Sequence, residues 1–62
     1  MKLYKFNNLI NKDRVVELKI KGITVYVGGW SDTPKMLYDF MVVNIIADDY
    51  ILVLEMEWYS YD

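Results

Sequence analysis

The 62-residue chain contains no cysteine and no histidine. Without cysteine no disulfide can supplement the core, and thiolate zinc sites are excluded. Without histidine the usual nucleophilic triads are also out of reach. The only serines are Ser31 and Ser60, and neither lies in a nucleophile-elbow sequence. Glycine is scarce and proline occurs once, at Pro34. There is no GxxxxGK[ST] and no GxGxxG pattern, so a phosphate-cradling loop is not expected. No apolar run approaches the about 20 residues that a membrane-spanning helix needs. The start, Met1 to Phe6, is too short and too polar afterwards to read as a secretory signal, so a cytoplasmic location is expected.

What the chain does have is apolar and aromatic material. The hydrophobic fraction is 55% and the aromatic fraction 16%, against an apolar share of about 45–50% in ordinary domains. A domain this short buries only about 60% of the surface its unfolded chain exposes. One domain over residues 1–62 is expected, with more apolar surface than its core can hide, hence a self-associating or partner-binding surface. Charge is distributed unevenly. Residues 1–31 hold six basic side chains against Asp13 and Glu17, whereas residues 32–62 hold Lys35 against seven carboxylates. Either the halves neutralise each other in the fold, or an acidic face is left to meet a basic partner.

Periodicity supplies the elements. Leu3, Phe6, Leu9 and Ile10 recur at helical spacing and predict a short amphipathic helix over residues 2–10. Asn11-Lys12-Asp13 is turn chemistry. From Arg14 the period becomes two, with Val16, Leu18 and Ile20 on one face and Val15, Glu17, Lys19 and Lys21 on the other. Lys21-Gly22 is a hairpin turn, and the return strand places Ile23, Val25 and Val27 inward, Thr24 and Tyr26 outward. The stretch Gly28-Gly29-Trp30-Ser31-Asp32-Thr33-Pro34 bends the strand and starts a short central helix, with Trp30 packing on Met36 or Leu37. A third strand over Met41–Ala47 places Val43, Ile45 and Ala47 on one face and Val42, Asn44 and Ile46 on the other. Asp48-Asp49 is a tight turn. The last strand, Tyr50 to about Tyr59, puts Leu52, Leu54, Met56 and Trp58 on one face. The expected fold is α+β: one four-stranded antiparallel sheet of two hairpins, an N-terminal helix and a short central helix.

The pieces Met1-Lys2-Leu3, Leu9-Ile10, Val15 to Ile20, Val25 to Pro34, Val42 to Ala47 and Ile51 to Glu57 follow a pattern. In them the chain resembles small proteins encoded by phages and conjugative elements of Gram-positive bacteria. The resemblance implies a mobile-element accessory protein, and some such proteins inhibit host defence systems in an anti-CRISPR-like way. The segment Trp58 to Asp62 departs from the pattern.

Two functions compete. In the first, a protein-binding module uses Glu55, Glu57, Trp58, Tyr59 and Tyr61, with Asp48 and Asp49, against a host or phage protein such as a defence nuclease. Tyrosine and tryptophan bury large area with a polar tip, and nearby carboxylates steer a basic partner. A homodimer is a further expectation. In the second, Lys12, Arg14, Lys19 and Lys21 with Tyr26 form a basic, aromatic sheet face for single-stranded nucleic acid. The pair Glu55 and Glu57 could bind a cation or act as acid and base, or could join Lys19 or Arg14 in a cross-strand charge network. The network is the simpler account, so no catalysis, cofactor, metal or membrane partner is expected.

Overall fold

The computed structural model describes residues 1–58. Four strands form one sheet: β1 (Val15–Ile20), β2 (Ile23–Gly29), β3 (Met41–Ala47) and β4 (Leu52–Glu57). Their spatial order is β2-β1-β4-β3, with β1 and β4 parallel and the two outer pairs antiparallel. The sheet is therefore mixed, which corrects the all-antiparallel expectation. The reason lies in the connection over residues 30–40. It carries the chain from one edge of the sheet to the other, so that the second hairpin enters with β4, not β3, beside β1.

The expected helices are also corrected: the described residues contain only single turns of 3-10 helix, at Leu3–Phe6, Trp30–Asp32 and Lys35–Leu37. The N-terminal segment is tied down before a helix can propagate. The Leu3 and Tyr4 amides donate to the carbonyls of Phe40 and Tyr38 at 2.9 and 3.1 Å, and Asn7-Asn8 follow. Asparagine favours turns over helix interiors. In the central segment Pro34 precedes the turn without a side-chain cap. The Thr33 hydroxyl, buried, donates instead to the Trp30 carbonyl at 2.7 Å. Only six residues then separate Pro34 from β3, too few for a helix that also delivers Leu37 and Phe40 inward.

These turns are the second layer of the fold. Leu3, Trp30, Leu37 and Phe40 come down on Val16, Leu18, Leu54 and Met56, and all eight are buried. The parallel register sets Val16 beside Leu52, Leu18 beside Leu54 and Ile20 beside Met56. The alternation read for the two central strands thus meets in one apolar surface. Trp30 is a core residue and shares the cluster with Leu37, while Met36 points to solvent. Burying a side chain of this kind contributes about 1.5–3 kcal/mol each.

The edge strands depart from simple alternation. Lys21 and Gly22 both have positive φ (52° and 82°), as a two-residue hairpin turn of the mirror-image type requires. The register then shifts between Leu18 and Lys19, leaving Val25 and Tyr26 opposite Leu18. This bulge turns Tyr26 to the covered face and Val27, paired with Glu17, to the open one, reversing the expected assignment. Tyr26 is half-buried and packs against the core. Its hydroxyl donates to the Gly29 carbonyl at 2.7 Å. A second bulge at Val43 pairs Val42 with Met56 on the covered side, so Val42 changes faces in the same way.

Candidate protein-binding surface

The N-terminal segment and the crossover both pack on one face of the sheet, and no described residue outside the sheet covers the other, open face. Register orders its side chains into rows. One row runs Val27, Glu17, Val53, Ile46 from edge to edge. The next runs Thr24, Lys19, Glu55, Asn44. Val15, at the start of β1, extends the apolar row on its other side. Val27 is 56% exposed, Ile46 49% and Val15 42%, so apolar side chains on three strands face solvent together.

The polar groups of this face are held in place. The Thr24 hydroxyl donates to a Glu17 carboxylate oxygen at 2.5 Å, and the Asn44 amide donates to Glu55 at 3.1 Å. Lys19 lies beside Glu55 on the adjacent parallel strand. The face is thus an apolar row interrupted by the oriented Glu17 carboxylate and bordered by Glu55 and Lys19. Such a surface is suited to contact with another macromolecule.

The residues singled out from sequence fall in several places. Glu55 and Glu57 lie on the open face, Glu55 half-buried and Glu57 exposed opposite Met41. Trp58 follows on the other side of the strand. It is 71% exposed, yet its ring stacks on the buried Phe40 ring at 4.5 Å and 17°. Tyr59 and Tyr61 lie outside the described residues. Asp48 and Asp49 sit at the far end of β4, roughly 17 Å of strand away from Glu57. Asp48 serves its own turn, where its carboxylate accepts the amides of Tyr50 and Ile51 at 2.8 and 2.7 Å. Those two hydrogen bonds, Ile51 first, hold its pKa below the ordinary aspartate value, and the nearby Arg14 charge adds to them.

The basic set is also dispersed. Arg14 donates to the Asp48 carbonyl at 2.8 Å, bracing the β3–β4 turn against the start of β1. Lys12 is in the loop before β1 and Lys21 in the turn at its opposite end. Lys19 is on the open face and Tyr26 on the covered one. Desolvation, followed by the charge of Asp32, raises the Tyr26 phenol above its usual pKa. Glu55 and Glu57 do not converge with a third ligand, and no metal-holding cluster of acidic residues exists among the described residues. No pocket forms among the described residues, and none of their helices is long and apolar enough to cross a membrane.

The apolar row Val27, Val53 and Ile46 was not singled out from the sequence as a site. Only Val27 needs a bulge to reach it; Ile46 and Val53 take their places by simple alternation. The signal available was Val15 and Val53 sharing alternation with charged residues. No family model, no curated protein and no solved structure matches this chain.

Proposed function

We propose that this chain is a protein-binding module, an accessory protein of a phage or conjugative element, that docks through the open face of its sheet. It occludes a site on a larger partner, with a basic defence nuclease as the partner class that the sequence resemblance suggests. The observation that carries the reading is the row Val27, Glu17, Val53, Ile46. It sets exposed Val27 and Ile46 and half-buried Val53 in line with the oriented Glu17 carboxylate, one residue from each strand. A sheet buries an apolar face against a second layer, and the described residues supply that layer on one side only. Carboxylates at Glu17, Glu55 and Glu57 favour approach by a positively charged surface. Single-stranded nucleic-acid binding would have to operate without an aromatic platform beside Lys19, because Tyr26 is on the other face.

The test is cross-linked capture from host lysate by the wild-type chain and by Val27→Lys and Val53→Lys. Both substitutions place a cation on the open row without touching the buried cluster. The expected result is one protein retained after nuclease digestion by wild type and lost by both folded variants. Equal retention by the variants, capture of nucleic acid only, or no capture by wild type overturns the proposal.

A further inference from the structure

The two edge strands, Ile-Thr-Val-Tyr-Val-Gly-Gly and Met-Val-Val-Asn-Ile-Ile-Ala, carry no charged residue, whereas the central strands carry Glu17, Lys19, Glu55 and Glu57. Proteins ordinarily guard sheet edges with charge, proline, bulges or a cover, because an edge presents unpaired backbone groups to another chain. The edge at β2 is guarded by geometry. Its bulge falls mid-strand at Val25, and the rest ends in two glycines that give a partner little to pack on. The edge at β3 carries its own bulge at Val43, near its start, and is covered by described residues just before it. There Lys2 bridges Met41, and the Val42 amide donates to the Met1 carbonyl at 2.9 Å. From Val43 to Ala47 no described residue covers it, and the Val43, Ile45 and Ile46 side chains are all exposed.

We infer that the β3 edge pairs with the β3 edge of a second copy of this chain, antiparallel about a two-fold axis at Ile45. The length of the free edge fits this arrangement. A two-fold at Ile45 sets Ile45 against its own copy and Asn44 against Ile46, with Ala47 reaching the bulged Val43, so the regular run after the bulge is used to its end. One step beyond, each strand must leave the ladder, because Met1 of the other copy occupies the next position. Here the chain does leave: Asp48 begins the turn in which its amide donates to the Ile51 carbonyl at 3.2 Å. The result is a continuous eight-stranded sheet, in which the open-face row of one copy ends at Ile46 beside Asn44 of the next. β-Branched cross-strand neighbours at such spacing stabilise antiparallel pairs. This dimer is independent of partner binding on the open face.

The test is sedimentation equilibrium of the wild type, Ile45→Lys, Ile45→Glu and an equimolar mixture of the two variants. Ile45 is on the exposed edge, so either charge faces its own copy at the axis. The wild type is expected to pass from 7.4 kDa to twice that mass with concentration, each variant to stay monomeric, and the mixture to regain the doubled mass. A wild type that stays monomeric into the millimolar range, variants that dimerise as wild type does, or masses growing beyond the dimer overturn it. Should the variants unfold, amide exchange on the wild type decides. Protection rising with concentration at Ile45 and Ala47 but not along β2 supports the pairing, and any other pattern refutes it. Val27→Lys leaves this dimer intact, which separates failure of the edge from failure of the open face.

Discussion

Gly28→Ala isolates what the glycine pair at the end of β2 does. A Cβ at Gly28 would lie 2.6 Å from the Tyr26 hydroxyl oxygen and 3.0 Å from its Cζ, whereas one at Gly29 meets only the Lys12 carbonyl at 3.9 Å. Neither glycine has positive φ, so alanine strains neither backbone. At Gly29 the substitution should stabilise by about 0.4–1 kcal/mol through the lower entropy of the unfolded chain. At Gly28 the same gain is opposed by two losses. The phenol must move, breaking its hydrogen bond to the Gly29 carbonyl, worth about 0.5–1.5 kcal/mol. It also leaves its preferred rotamer, at about 0.5–1.5 kcal/mol. The net is a destabilisation of about 1 kcal/mol, and in a domain this small that lowers Tm by about 4–8 °C. In a Tyr26→Leu background neither the hydroxyl nor Cζ remains, so Gly28→Ala should change sign and stabilise by about 0.4–1 kcal/mol. Urea denaturation of the four members of this cycle should give a coupling of about 1.4–2 kcal/mol. An equal effect of Gly28→Ala in both backgrounds, or a gain in the wild type, refutes the account.

Lys21 holds φ at 52° in the β1–β2 turn, a conformation that asparagine tolerates and lysine does not favour. Lys21→Asn is therefore expected to raise stability by about 0.5–1 kcal/mol, read as an increase in Tm; a decrease would refute the turn assignment. Asp48→Asn removes the charge that two amides hold. The folded pKa is depressed, so the stabilisation is present above the unfolded value of about 4 and lost as pH falls through the folded one. The Tm difference between wild type and Asp48→Asn should be largest near neutrality and shrink in acid. A difference independent of pH would place the effect elsewhere.

Much of the local structure was legible because central strands alternate cleanly. Val16, Leu18 and Ile20, and Leu52, Leu54 and Met56, share the face that their spacing implies, and the Lys21-Gly22 turn falls where Gly22 marks it. Edge strands were less legible, because one extra residue at Val25 exchanges the faces of Tyr26 and Val27, and another at Val43 parts Val42 from Asn44 and Ile46. Leu3, Phe6, Leu9 and Ile10 mimic a helical stripe, yet Leu9 is 69% exposed and only Leu3 is fully buried. Nor does any residue pattern encode strand order. The parallel pairing follows from where residues 30–40 cross, and their apolar members, Trp30, Leu37 and Phe40, suit a helix as well as an irregular cover. Alternation put Glu55 and Glu57 on one face. It also put Trp58 on the opposite face, while the stacking of Trp58 on Phe40 needed the full topology.

The open face follows from economy of length. Fourteen residues precede β1 and eleven join β2 to β3, and both segments are committed to the same side of the sheet. Backbone hydrogen bonds from Leu3 to Phe40 and from Trp30 to Arg14, each 2.9 Å, lock them there. No segment of comparable length remains among the described residues for the other side. An uncovered sheet could have been made wholly polar, and β1 and β4 go part of the way with Glu17, Lys19, Glu55 and Glu57. The bulges work against that, since they rotate Val27 outward at one edge and leave Ile46 outward at the other. The apolar row is thus bounded by edge residues and crossed by charged central ones. This arrangement favours contact with a surface that is itself charged in the middle and apolar at the flanks, and it penalises a uniformly apolar partner by stranding four charges.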